Sequence, residues 1–296
     1  MSLEEREPTM TTSTAPSTVN PTAEAAGATP ADDLSHLAGE PADVALPRLL
    51  DAHGGRIYRL GLRFCGSPEE AEDLAQETFL QAYRKWHQFH GDANPTTWLY
   101  TIAARACQRR RRLRAGEPKH LDSLDQLTAA SEGPVADLPA GGADPLDDQL
   151  RREAREAVER GIAELPHHYR MALVLKDVVE LPVADVAGIL GLKEATVKTR
   201  VHRARLRLRR ILTESLPRRD APPPRYSQRV CLDLLQAKQE ALDRGVPFRV
   251  PQEEVCERCE ALFTTLDLAR DSCAAIGRGE LPSPLRERLL EELRER

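Results

Sequence analysis

Residues 183–200 read Val183-Ala184-Asp185-Val186-Ala187-Gly188-Ile189-Leu190-Gly191-Leu192-Lys193-Glu194-Ala195-Thr196-Val197-Lys198-Thr199-Arg200, and this stretch decides the fold. Ala187 is small where two helices must cross closely. Gly191 supplies the left-handed conformation of a tight turn, and Val197 packs the second helix back onto the first. Three such residues at these spacings make a helix-turn-helix. Its second helix is expected to carry Thr196, Lys198, Thr199, Arg200, His202 and Arg203, with Arg205 beyond them, toward phosphates and base edges in a major groove. Residues 193–210 hold eight bases against one acid. That is too biased for a balanced solvated helix, so DNA contact is the expected role. On its own the motif fits any transcription regulator, including one that never meets a polymerase.

Working outward, the charge of the chain divides by segment. The 296 residues sum to -5, yet residues 1–47 and 116–148 each carry 8 acids against one base, which leaves the remainder at +9. Within that remainder, residues 48–115 hold 12 bases against 7 acids and residues 149–221 hold 16 against 10. Two basic blocks separated by acidic stretches predict a polyanionic partner and disfavour an enzyme acting on neutral small molecules. No run approaches the roughly 18–20 apolar residues of a membrane span. The N-terminus, rich in Thr, Pro, Ala and Glu, lacks the basic-then-apolar order of a secretory signal, so a cytoplasmic location is expected.

The periodicity is helical throughout, and the expected fold class is all-α. Residues 1–45 are low in large apolar side chains and read as a disordered tail. A first helical domain over 46–114 begins with the stripe Leu49, Leu50, His53, Ile57, Leu60 and Phe64. Gly66-Ser67-Pro68 ends that helix and opens the next, with Ser67 at the N-cap and Pro68 at the first helical position. The second stripe is Ala71, Leu74, Ala75, Thr78, Phe79, Ala82 and Tyr83, and a third helix follows Asn94-Pro95. Residues 115–148 read as a flexible acidic linker, 149–215 as a second helical domain, 216–229 as a Pro-rich linker and 230–296 as a helical extension.

The surroundings of the helix-turn-helix narrow the reading. Leu165-Pro166-His167-His168-Tyr169-Arg170 before it, and Thr196 to Arg205 within it, closely resemble region 4 of extracytoplasmic-function sigma factors, the compact branch of the sigma-70 family. Asp73-Leu74-Ala75-Gln76-Glu77-Thr78-Phe79 resembles the region 2 helix of the same family, and Trp98-Leu99-Tyr100-Thr101-Ile102-Ala103-Ala104-Arg105 its next helix. The resemblance covers residues 46–215. It implies a non-enzymatic sigma factor that binds core RNA polymerase and directs initiation, with region 2 reading the -10 element and region 4 the -35 element. Asp73, Gln76, Glu77 and Phe79 stand where relatives dock polymerase, although core packing explains Phe79 equally well. Trp98, Arg105 and Arg109 lie on the helix expected to hold opened promoter DNA, where aromatic faces beside positive charge capture unstacked bases. Where many relatives have Asn and then Asp after the Ala-Arg pair, this chain has Ala106-Cys107-Gln108 before Arg109-Arg110-Arg111-Arg112. A separate anti-sigma factor is a further partner that the resemblance implies.

Four of the six cysteines lie in the last quarter of the chain. Cys231, Cys256, Cys259 and Cys273 form a pattern that resembles zinc-binding anti-sigma domains, whose motif places a His four residues before the Cys-x2-Cys pair. Here that position is Gln252, a poor zinc ligand, unless Cys273 supplies a fourth thiolate. No cofactor is required for the function. A structural zinc, a thiol-disulfide switch at Cys256 and Cys259, and inert buried cysteines all remain open from the sequence. An extension tethered beyond region 4 is expected to fold back and modulate the factor in cis.

Overall fold

The computed structural model describes residues 35–91, 94–112, 134–138, 145–251, 255–276 and 280–295. Among these residues there are ten α-helices and two strands of two residues each, so the all-α expectation holds.

Helix α1 (Ala42–Cys65) buries Leu46, Leu49, Leu50, His53, Ile57, Leu60 and Phe64, the expected stripe extended toward the N-terminus. Gly66 ends it in the left-handed conformation, φ 91°. Helix α2 (Pro68–Arg84) starts as its sequence dictates, with the Ser67 hydroxyl accepting from the Glu70 N–H at 3.2 Å. The two helices cross closely at Gly61, where a Cβ would lie 3.0 Å from Ala71 Cα. Helix α3 (Pro95–Arg112) packs on both to complete a three-helix unit.

The tail assigned to disorder ends earlier than expected. Ser35–Gly39 form a 3-10 turn, Leu37 is fully buried, and the Trp86 indole N–H donates to the Glu40 carbonyl at 2.8 Å. A single large apolar residue, Leu37, anchors a segment whose average composition predicts none.

Helix α4 (Pro145–Glu164) begins inside the stretch read as linker, with Pro145 at its first position. Helix α5 (His167–Leu173) continues into one π turn, Val174–Val178, closed by Val179 N–H to the Val174 carbonyl at 2.9 Å. Helices α6 (Val183–Leu190) and α7 (Glu194–Ser215) are the helix-turn-helix. Gly191 takes φ 66°, as the turn requires, and Val197 is fully buried. Two-residue strands β1 (Val135–Ala136) and β2 (Arg218–Arg219) pair antiparallel, which ties the linker to the segment after α7.

The extension forms α8 (Gln228–Arg244), α9 (Glu257–Ile276) and α10 (Ser283–Arg294). It does not stand apart. Helix α9 lies against α4, α7 and the π turn, while α10 lies against α1 and α2. Leu285, Leu289 and Leu293 of α10 are each 1% exposed, and full burial of a leucine is worth roughly 1.5–3 kcal/mol. The two basic domains also touch directly: α3 packs on α6, Arg63 pairs with Glu159 at 2.6 Å, and Arg170 donates to the Phe64 carbonyl at 3.3 Å. Regions read as separate domains are thus closed into one body.

Candidate nucleic-acid and polymerase interface

The N-cap Lys193 and, in the N-terminal half of α7, Thr196, Lys198 and Thr199 face solvent, with Arg200, His202 and Arg203 half-buried behind them. Its inward stripe is Val197, Val201, Ala204, Leu208 and Leu212, all buried. Thr199 returns its hydroxyl to the Ala195 carbonyl at 2.9 Å, a local bond that fixes its rotamer. Arg203 reaches the Tyr169 hydroxyl at 3.5 Å, and the Arg207 guanidinium lies 5.4 Å from the centre of the same ring. Tyr169, itself buried, therefore orients two bases of the helix.

Two residues of the expected DNA-facing set are engaged inside the protein. His202 Nε2 lies 2.8 Å from Asp243 Oδ2, so a carboxylate of α8 holds a side chain of the recognition helix. Arg205 corrects the sequence reading more sharply. It is 1% exposed and points inward, donating from Nε and Nη2 to Asp177 at 2.8 and 2.7 Å and from Nη1 to Asp243 at 2.8 Å. Burial alone would lower its pKa, but Asp177 and then Asp243 outweigh that cost and hold the guanidinium charged. Burial likewise pushes Asp243 up, and its bonds with His202 and Arg205 reverse this and keep the carboxyl below its ordinary value. A charged group cannot be left unpaired in such a place, which explains why Asp177 sits in the π turn directly opposite.

In the three-helix unit, Trp98 is half-buried in an aromatic cluster, 5.8 Å from Trp86 and 5.3 Å from Phe89 between ring centres. Arg105 is exposed on the same helix. Arg109 is exposed but donates to Glu77 at 3.0 Å, and Arg110 donates to the other Glu77 oxygen at 3.0 Å and approaches Asp73 at 3.6 Å. Among the residues expected to dock polymerase, Asp73 is exposed and Gln76 and Glu77 are half-exposed, whereas Phe79 is fully buried in the core. Gln76 is already occupied: its Nε2 donates to Glu292 of α10 at 2.5 Å. The α10 contact is the feature that sequence reasoning missed, because nothing in its amphipathic pattern names the surface it covers.

The four tail cysteines do not converge. Cys231, Cys256 and Cys259 sit together beside Leu235, Leu262 and Phe263, where the Cys259 thiol is pushed up by burial and then by its neighbours Cys231 and Cys256. Cys256 goes the other way: burial would raise it, but bonds from the backbone at Arg225, Cys259 and Arg258 lower it. Cys273 belongs to the main core, fully enclosed near Asp177 and Arg205. Among the described residues no group of three or more His, Cys, Asp or Glu side chains is placed to hold a metal ion, and Gln252 lies outside them. The four-thiolate alternative is therefore not assembled here: Cys259 and Cys273 stand fourteen residues apart on α9, about 21 Å along its axis, and belong to different cores.

Comparison with known proteins gives the class. Sigma-70 region 2 matches residues 49–116, and sigma-70 region 4 matches residues 155–208. The chain is 35% identical over 172 residues to the ECF RNA polymerase sigma factor SigW of Bacillus subtilis, covering 57% of this chain and 90% of SigW. It is 33% identical over 179 residues to the ECF sigma factor SigM of Mycobacterium tuberculosis, covering 60% of this chain and 81% of that one. The sigma factor RpoE of Bartonella quintana, solved with the anti-sigma factor NepR, is 24% identical and superposes with a TM-score of 0.36 over 58% of this chain and 91% of that one. The chain belongs to the ECF RNA polymerase sigma factors: it binds core polymerase and promoter DNA and directs transcription initiation. Among the described residues no helix is long and apolar enough to cross a membrane.

Proposed function

We propose that region 4 reads the -35 element through the exposed first turns of α7, with Thr196, Lys198, Thr199, Arg200, His202 and Arg203 as the contact set. Region 2 docks polymerase through Asp73, Gln76 and Glu77 and holds the opened -10 element along Trp98, Arg105 and Arg109 of α3. The protein works in the cytoplasm, without chemistry of its own, and its extension modulates it in cis as a tethered counterpart of an anti-sigma protein. The observation that carries this reading is the division of α7, whose polar N-terminal half is open while its apolar stripe and Arg205 are buried. A helix so divided can enter a groove without unpacking its own domain.

The test is run-off transcription with purified core polymerase on genomic fragments, mapping start sites for the wild type and for a Lys198→Ala/Arg200→Ala variant. Defined starts with the wild type, weakened about tenfold or more in the variant, are expected if each lost contact is worth roughly 1–3 kcal/mol. Absence of any defined start at concentrations where wild type and polymerase are shown to be bound to each other would sink the reading.

A further inference from the structure

Helix α10 occupies a particular face of region 2. Its leucines Leu285, Leu289 and Leu293, three to four residues apart along one side, are buried. On α1, Gly54 leaves a notch: a Cβ there would lie 2.9 Å from Leu281 Cδ2, so the residue leading into α10 fits where a larger side chain would stand. Around this apolar seam three polar contacts fix the register. Arg286 pairs with Asp51 of α1 at 2.6 Å, Arg288 with Glu72 of α2 at 2.9 Å, and Glu292 accepts from Gln76 of α2 at 2.5 Å. All three partners lie on the faces of α1 and α2 turned toward α10, and the last is a residue of the polymerase-docking set.

We propose that α10 is a built-in competitor of polymerase, bound to region 2 on a surface that overlaps the polymerase-docking surface, so that the two are mutually exclusive. This rests on the reading of Asp73, Gln76 and Glu77 as the docking set. Gln76 cannot keep Glu292 and accept a polymerase partner at once, and α10 itself lies against α1 and α2 beside it. Of the remaining docking acids, Glu77 is paired with Arg109 and Arg110, while Asp73 lies 3.6 Å from Arg110 and stays exposed. The apparent affinity for polymerase is then the intrinsic affinity reduced by the fraction of molecules with α10 released. A chain of this design is made in a quiet form and becomes active when α10 leaves.

The experiment measures binding of fluorescently labelled full-length chain to purified core polymerase. Leu285→Arg/Leu289→Arg removes the apolar seam and should tighten the apparent Kd about tenfold or more. Arg286→Glu/Arg288→Glu, confined to exposed positions, should tighten it by about twofold to fivefold, since exposed ion pairs are individually weak. Adding Asp51→Arg/Glu72→Arg to that second variant re-forms both pairs in reverse and should return the affinity to the wild-type value. Equal or weaker binding by both variants overturns the competitor. Failure of every chain, wild type included, to bind polymerase would overturn the docking assignment and the competitor together.

Discussion

Arg205 and Asp177 form a two-bond ion pair, Nη2 to Oδ1 at 2.7 Å and Nε to Oδ2 at 2.8 Å, with side chains only 1% and 3% exposed. The pair joins the recognition helix to the π turn, and Asp243 adds the extension to the same guanidinium. Removing one member of such a pair strands a buried charge, at a cost of about 3–5 kcal/mol. Asp177→Ala should therefore destabilise the whole chain by about that much, read as a lower urea midpoint with unchanged slope. Arg205→Ala should act on stability in the same way and leave the ranking of promoters unchanged; a variant of wild-type stability with altered start sites would contradict the assignment.

Asp243 carries a pH dependence of known sign. Its folded pKa is depressed below the ordinary 3.8, so its contribution is fully present above 3.8 and is lost as pH falls below it, toward the folded value. The part of the α8–α7 contact that the Asp243 charge supplies should thus be lost only in acid. Thermal melting of wild type and Asp243→Asn between about pH 3 and 5 checks this: the difference between them should shrink as the pH falls below about 4.

DNA binding should be strongly salt-dependent, since each neutralised phosphate releases counterions. Where Lys198 or Arg200 contacts a phosphate, its replacement by alanine should weaken binding across all sequences and make the slope of log K against log salt shallower by about 1. The slope is measured on a promoter duplex with polymerase-bound protein, between about 50 and 200 mM salt. An unchanged slope in both variants would remove these side chains from the phosphate-contact set.

Gly61 sets the distance between α1 and α2. A Cβ there would meet Ala71 Cα at 3.0 Å and its carbonyl oxygen at 3.1 Å, both backbone atoms that cannot swing aside. Gly61→Val should destabilise the protein by about 1–3 kcal/mol through overpacking, read as a lower urea midpoint with unchanged slope.

Thiol reactivity should follow the division of the cysteines. Cys273 is fully buried with its thiol pushed up by burial and then by Asp177, and it should be the last to react with iodoacetamide in the folded chain. Half-buried Cys65 and Cys231 should react before it. Mass spectrometry of a labelling time course reads the order, and early modification of Cys273 would place it outside the core.

Much of the architecture was legible because local rules suffice for it. The Ser67-Pro68 start, the Gly66 and Gly191 stops, and the stripes of α1, α2 and α7 all follow from neighbours within two helical turns. Arg205 was misread although the information was present: it lies eight residues after Val197 and four after Val201, on the inward stripe, and only its charge argued for the surface. The counter-signal was Asp177, an acid in the apolar run 171–179 with no local reason to be there. That the extension folds back onto the two domains was legible from its tether beyond region 4, but the particular seat of α10 on α1 and α2 was not. Its contacts join residues more than two hundred positions apart, and an amphipathic helix specifies that it covers something without specifying what.

The β1–β2 ladder bears on how far the two DNA-reading halves can separate. Pairing Val135 with Arg219 and Ala136 with Arg218 pins the connection between α3 and α4 to the far end of region 4. Any movement of region 4 away from the connector must therefore either carry Val135 and Ala136 along with the end of α7 or break these two residue pairs.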